Sequence, residues 1–514
     1  MLFKIKKLGI ATGTVPIVLM DDEDAFAMGA KLGDRVKIFT KDIEGYVSNP
    51  IIAVVDHATG EGLIQHGEIG LYDEVHQKIL EVAHQSKVDE VELQLSSKPK
   101  SFEFIRAKIK GKTLSKEEID EIVKDATQGN LLPIEIAAFI TGLEVRGLSD
   151  EEVVNLTLAM AHSGEILDFG PEVFDKHSTG GVPGNKVTLI IVPIIAAADL
   201  FIPKTSTRAI TSPSGTADSF EVLAPVAFSK EHVLEILKKE KAGILWGGAL
   251  DSAPADNTFI RVEKPLSMDP FPIMIASIIC KKMSMGVKKL VLDIPCGKGT
   301  KFPTPEHGRK FAERFKRVAE KVGIKTVCLL TSANQPIGHA VGPALEAQEG
   351  LRLLRDYSAG PASLMNKSCE LAGILLEMAG KAKLGEGKKL AKEILKSGQA
   401  YQAMKRIIKA QGGNPEIKPE EIKIGQYHTD LFAEEDGYVT EVENAYINRI
   451  AKIAGCPAAK KAGIIIHKKI GSQISKGDLL FQIFSDSEEK LAEAVAYYHE
   501  HKPQILGGMT IERI

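Results

Sequence analysis

Four polar clusters in the middle of the chain carry residue types suited to holding anions. The first runs Asp175-Lys176-His177-Ser178-Thr179-Gly180-Gly181-Val182-Pro183-Gly184, just ahead of a helix expected to start near Lys186. Glycines let backbone N–H groups approach an anion, and a helix N-terminus adds partial positive charge. Lys176 supplies a full charge and Ser178 a hydrogen-bond donor. The spacing is not that of a Walker A loop, and an ordinary glycine-rich strand-to-helix turn fits the same residues. The second cluster spans Thr205 to Asp218, and seven of its first twelve residues bear hydroxyls beside Arg208. Hydroxyls and a guanidinium fork suit phosphate oxygens. A solvated Ser/Thr loop is the competing reading, which the apolar flanks disfavour.

The third cluster includes Ala253-Pro254-Ala255-Asp256, Arg261, Met268-Asp269-Pro270 and Ser277 through Lys281-Lys282. Asp269 sits among apolar neighbours, a setting that raises a carboxyl pKa by disfavouring the charged form, and so makes a general acid. Taken alone, the residue fits a helix N-cap followed by Pro270 better. Ser277 and Lys281 are four apart and share a helix face. The fourth cluster, Asp293 to Thr304, follows a strand-like run with two glycines and two lysines. A solvated basic turn is its bland reading, but loops at strand C-termini are where α/β folds hold ligands.

The elements that must position these loops are legible as four segments. Residues 1–95 contain short β-like runs (Phe3–Lys6, Val36–Phe39, Pro50–Val55, Val91–Leu95) and read as a β-rich domain; 96–100 read as a linker. Residues 96–170 read as an all-α lobe, with capping boxes expected at Ser115/Glu118 and Ser149/Glu152. From 171 to 425, strand-like runs (Gly243–Trp246, Lys289–Asp293, Lys325–Leu330) alternate with amphipathic helices, which argues for an α/β lobe with a mainly parallel sheet. Part of that stretch is expected to pack with the helical lobe. Residues 426–514 read as a C-terminal α+β domain of barrel-sandwich type, without the attachment lysine of a carrier domain.

Composition narrows the function classes. A net charge of -3 from 65 basic and 68 acidic residues gives no bulk attraction for nucleic acid or an anionic membrane. The longest apolar run, Val187–Leu200, is broken by Pro193 and Asp199 and reads as a buried helix rather than a span. Five scattered cysteines without a Cys-x-x-Cys pair argue against a zinc site or disulfides and suit a reducing cytoplasm, as does an N-terminus without a signal-type apolar region. No metal or other cofactor is expected.

Together the clusters resemble the family of thymidine phosphorylases and AMP phosphorylases. Lys-His-Ser-Thr-Gly-Gly at 176–181 is similar to its first phosphate loop, and Ser206-Thr207-Arg208 through Gly215-Thr216-Ala217-Asp218 and Glu221 to its signature segment. Ser212-Pro213-Ser214 in place of the pyrimidine enzymes' His-Thr-Gly, Pro183 with Asn185, and the extra N-terminal domain resemble the archaeal AMP-cleaving branch. The resemblance implies phosphorolysis of AMP, with CMP and UMP also accepted, to free base and ribose 1,5-bisphosphate; a pyrimidine-nucleoside phosphorylase is the alternative. It implies nucleotide contacts from Gly181, Thr207, Arg208, Ala209, Ile210, Thr211, Ser212, Thr216, Ser277 and Lys301, with Asp269 as proton donor. Lys176, Ser178, Ser206 and Thr216 match phosphate-binding positions, and Arg261, Ser277 and Lys281 match base-binding positions. Inorganic phosphate and a nucleoside 5′-monophosphate are the implied partners, and a homodimer or larger homo-oligomer the implied assembly.

Overall fold

The computed structural model describes residues 1–13, 15–42, 44–45, 49–59, 62–209, 212–250 and 252–507. Its contacts divide the chain into two compact units. One comprises 1–163 and 253–277, the other 164–252 and 278–514.

The first unit begins with a closed barrel of six strands: β1 (Leu2–Lys7), β2 (Ile17–Asp21), β3 (Arg35–Phe39), β4 (Ile51–Ala58), β5 (Glu68–Leu71) and β6 (Glu90–Leu95), in the order β1-β5-β2-β4-β3-β6. Closure leaves no open edge, and the inward-facing Phe3, Val18, Ile38, Val55 and Leu93 fill the interior. Asp21, Asp24 and His66 come together on this barrel; buried Asp24 accepts from Gly67 N at 2.7 Å and lies 3.0 Å from His66 Nδ1, so it anchors the turn before β5. A helical block follows after residues 96–99, which belong to no helix or strand; its first helix starts at Lys100, directly after Pro99. Both expected capping boxes form: Ser115 with Glu118 and Ser149 with Glu152. Buried Arg35 ties barrel to helices through an ion pair with Glu135 and a 2.6 Å bond to Asn130 O. The helix Pro254–Leu266 packs against this block.

The second unit is built on parallel strands: β7 (Val173–Ser178), β8 (Ile202–Ser206), β9 (Ala242–Trp246), β10 (Val287–Cys296) and β11 (Lys325–Ser332). β10 lies between β11 and β7; an isolated parallel bridge from Val173 to Phe201 leads on to the β8–β9 pair. The apolar run read as a buried helix forms one over Thr188–Ala197, and it packs against helices Ala362–Met378 and Gln399–Ala410. The chain after Gln426 forms two small antiparallel sheets. One combines β12 (Ala340–Val341), β15 (Gly463–Ile466), β17 (Leu479–Ser485) and β13 (Tyr427–Phe432); the other combines β16 (Gln473–Ile474), β14 (Gly437–Val442) and β18 (Gln504–Gly507). The edge strand β12 of the four-stranded sheet comes from the α/β stretch, which sequence reading did not anticipate because two residues carry no periodic signal. Among the described residues, no helix is long and apolar enough to cross a membrane. The five cysteines are all free thiols.

Candidate active site

The ends of β7, β8 and β10 converge on a buried set of opposite charges. Asp175 is fully buried; its carboxylate lies 2.6 Å from Lys282 Nζ and 3.5 Å from Lys204 Nζ, and accepts from Lys176 N at 2.7 Å. Asp293, on the neighbouring strand, is equally buried. It accepts from Ser178 Oγ at 2.8 Å and Thr331 Oγ1 at 2.6 Å, and lies 3.0 Å from Lys367 Nζ. Lys176 Nζ reaches Thr188 Oγ1 at 3.5 Å at the head of the buried helix. Four lysines thus face two aspartates in the protein interior. Unbalanced buried charge is costly, so this arrangement gains stability from an added anion.

The titration shifts follow first from burial and then from the neighbouring charges. Burial pushes the Lys176 ammonium down to about 8, and Lys367 and Lys282 add to the effect against the pull of Asp293 and Asp175. Burial likewise drives Lys204 well below the usual lysine range, with Lys282 and Lys176 contributing. Burial alone would raise Asp293, but Lys367, Lys176 and the Thr331 hydrogen bond outweigh it and hold the carboxyl below its ordinary value.

The helix after the first loop starts at Thr188, close to the expected Lys186, whose ammonium is buried against Glu349 at 2.6 Å. Ser178 does not present its proton outward: its single O–H donates to Asp293, while its oxygen accepts from Asn185 Nδ2 at 3.1 Å. It can donate to phosphate only by turning away from Asp293. Gly181 adopts φ +89° and packs against the turn after β10, where a Cβ would stand 3.3 Å from Thr300 Cα. The chain thereby brings Gly181 and Lys301 together, and Lys301 is exposed beside it.

The second loop is folded on Asp218, whose Oδ2 accepts from Ala209 N at 2.7 Å and from Gly215 N at 2.9 Å. Gly215 is where the loop closes on itself: a Cβ there would lie 2.5 Å from Thr207 O and 2.7 Å from Ala209 N. Ser206 Oγ donates to Leu245 O at 3.0 Å, so its proton goes to the sheet. The Arg208 fork is engaged within its own segment. Arg208 donates both terminal nitrogens to Glu221, at 2.6 and 2.7 Å, and stacks over the Trp246 ring at 4.8 Å. Short range explains this: Glu221 is thirteen residues on, one turn beyond the Asp218 that folds the loop. Arg208 hydrogen bonding, aided by Lys460, holds the Glu221 carboxyl down to about 2. Thr207 is exposed, whereas Ala209, Ser212 and Thr216 are half-buried. Ile210 and Thr211 lie outside the described residues.

The third cluster divides between units. Arg261, Asp269 and Ser277 belong to the first, Lys281 to the second. Asp269 occupies the short connection between helices Pro254–Leu266 and Phe271–Ser284. It is exposed although Pro270 beside it is buried, so the apolar neighbours in sequence do not enclose it. Arg261 is exposed, and Ser277 and Lys281 are half-buried one turn apart. The cluster of lysines around Asp175 and Asp293 was only partly visible beforehand. Lys282 lies within the third cluster, Lys204 borders the second and Asp293 heads the fourth, but Lys367 lies far along the chain on a helix and has no local signal.

Three family models match the chain. Residues 102–164 match the helical bundle domain of a glycosyl transferase family, 170–401 the a/b domain of a glycosyl transferase family, and 438–502 the pyrimidine nucleoside phosphorylase C-terminal domain. The AMP phosphorylase of Methanocaldococcus jannaschii is 44% identical over 498 residues, covering 97% of this chain and 96% of that protein. The AMP phosphorylase of Thermococcus kodakarensis is 43% identical over 512 residues, covering 99% of each. Among solved structures, anthranilate phosphoribosyltransferase of Thermus thermophilus aligns with a TM-score of 0.51 at 21% identity, covering 60% of this chain and 98% of that one; the likeness concerns the fold.

Proposed function

We propose, on the premise that this chain belongs to the glycosyl transferase family of the AMP phosphorylases, that it splits AMP with orthophosphate into adenine and ribose 1,5-bisphosphate. The observation that carries the phosphate half of this reading is the buried excess of lysine over aspartate beneath the Lys176–Gly184 loop. Such a cluster attracts a dianion strongly because little solvent screens it.

In the reaction, phosphate attacks C1′ as the base leaves, and positive charge develops on the ribose. A dianion fixed by Lys176, with Ser178, Ser206 and Thr216 turned toward it, stabilises that charge and supplies the nucleophile already placed. Since Ser178 and Ser206 spend their protons on Asp293 and Leu245 O, phosphate must draw those hydroxyls around, while Lys176 needs no such rearrangement. Gly181, the loop from Thr207 to Ser212, Thr216, Ser277 and Lys301 hold the nucleotide in this assignment. Arg261 and Lys281 serve the base. Asp269 protonates adenine as it departs, making a neutral leaving group. The exposure of Asp269 means that the bound base itself must exclude water from it; the protein interior does not.

The test is a rate comparison of AMP, CMP, UMP and thymidine, each with orthophosphate. The reading expects nucleoside monophosphates to be cleaved and thymidine to be poor. Preference for thymidine would instead support the pyrimidine-nucleoside activity for which the C-terminal match is named.

A further inference from the structure

The C-terminal domain holds no residue of the reaction as assigned above, yet it makes polar contacts with both loops that flank the phosphate pocket. The turn after β10, which carries Lys301 and supports Gly181, is tight: Thr300 Oγ1 donates to Gly297 O at 2.8 Å. Its tip, Lys298, is taken by two C-terminal carboxylates, Glu441 at 2.6 Å and Glu443. Behind the tip, the buried Asn444 side chain donates to Ala333 O at 2.6 Å, and Gly297 packs directly on Ala333. On the other side, Lys460 pairs with Glu221, the same carboxylate that receives the Arg208 fork. All of 441, 443, 444 and 460 fall within the matched C-terminal domain.

The charges at the second contact fix a direction. Arg208 faces Asp218 at 3.4 Å and Glu221 at 2.6 Å, so alone it is outnumbered by carboxylates. Lys460 adds the second cation and balances the group. Without it the loop carries one net negative charge where the 5′-phosphate is to bind.

We infer that Lys460, Glu441 and Glu443 of the C-terminal domain are positioning residues for the phosphorolytic site: they clamp the Arg208 loop and the Lys301 turn, and Lys460 sets the charge that a nucleoside 5′-phosphate meets. The inference rests on the function proposed above. These are partly exposed ion pairs, each contributing little to stability, so their loss should alter substrate binding far more than folding.

The experiment uses the full chain with K460M, K460R, K298E and the triple exchange K298E/E441K/E443K. Trp246 is the sole tryptophan, and Arg208 stacks on it, so its emission reports the loop without any turnover. K460M should raise KM for AMP about fivefold while kcat, KM for phosphate and melting temperature stay within about twofold or a few degrees. The rise should shrink at high salt, since screening weakens exposed charges. Trp246 emission should shift in K460M and return in K460R. K298E should raise KM for AMP, and the triple exchange should restore it to within about threefold of wild type. Wild-type KM and emission in K460M would overturn the clamp. So would parallel losses in AMP binding, phosphate binding and melting, or a triple exchange that folds yet behaves as K298E. Failure of the wild-type chain to release adenine from AMP would overturn the proposed function instead, and the emission readout still judges the clamp.

Discussion

The buried Lys176 ammonium makes phosphate binding sensitive to pH in a window where exposed lysines do not titrate. Its fall from 10.5 to about 8 costs the charged form roughly 3 kcal/mol, at about 1.36 kcal/mol per pH unit. Lys176 is a base, so below that pH it is charged and attracts the dianion; above it the charge is lost and the site weakens. Orthophosphate, once bound, stabilises the ammonium, so binding above neutrality takes up a proton. KM for phosphate, counted as the dianion alone, should therefore be flat below about pH 7.5 and climb about tenfold per pH unit above 8. The assay is initial-rate adenine release at saturating AMP with phosphate varied from about pH 6.5 to 9.5. K176M, measured alongside, should show a high KM with no such climb. A flat KM through the alkaline range, or the same climb in K176M, would refute the assignment of Lys176 to phosphate.

Three further substitutions probe the rest of the site. D293N removes a buried charge that holds Ser178, Thr331 and Lys367 and that keeps the Lys176 ammonium charged against burial; chemical denaturation should show a loss of about 3 kcal/mol or more, and KM for phosphate should rise more than KM for AMP because Lys176 loses its charge at lower pH. G215A forces a methyl to within 2.5 Å of Thr207 O, so the loop must shift; nucleotide KM should rise about tenfold or more, read by the same assay, while phosphate KM changes little. D269N should cut kcat about a hundredfold while leaving KM for AMP nearly unchanged; equal turnover in the variant would remove Asp269 from the acid role.

Much of the fold was legible because its elements carry strong periodic or capping signals. The Ser115 and Ser149 caps, the run at Thr188–Ala197 and the strands β9, β10 and β11 all show in the pattern of residue types. In the barrel, β2 and β5 escaped notice: Ile17–Asp21 lacks alternation, and Glu68–Leu71 is four residues long. The two-residue β12 is shorter still. At the site, the motifs pointed to the loops but not to the direction of their donors. Ser178 turns inward because Asp293 stands opposite it on β10, and Arg208 turns aside because Glu221 follows on the next helical turn. Lys367, 189 residues after Ser178 in number but joined to it through Asp293, is the kind of partner that only tertiary packing supplies. Asp269 shows the opposite error, since apolar neighbours along the chain did not become apolar neighbours in space.

The central claim is that orthophosphate is the nucleophile, drawn into a pocket with more buried cation than anion. Incubation with AMP, with and without orthophosphate, followed by phosphorus NMR of the sugar product, measures this directly. The account predicts adenine release only with orthophosphate present, and one sugar bearing two phosphates for each adenine freed. Adenine released without added phosphate, leaving a sugar monophosphate, would contradict it.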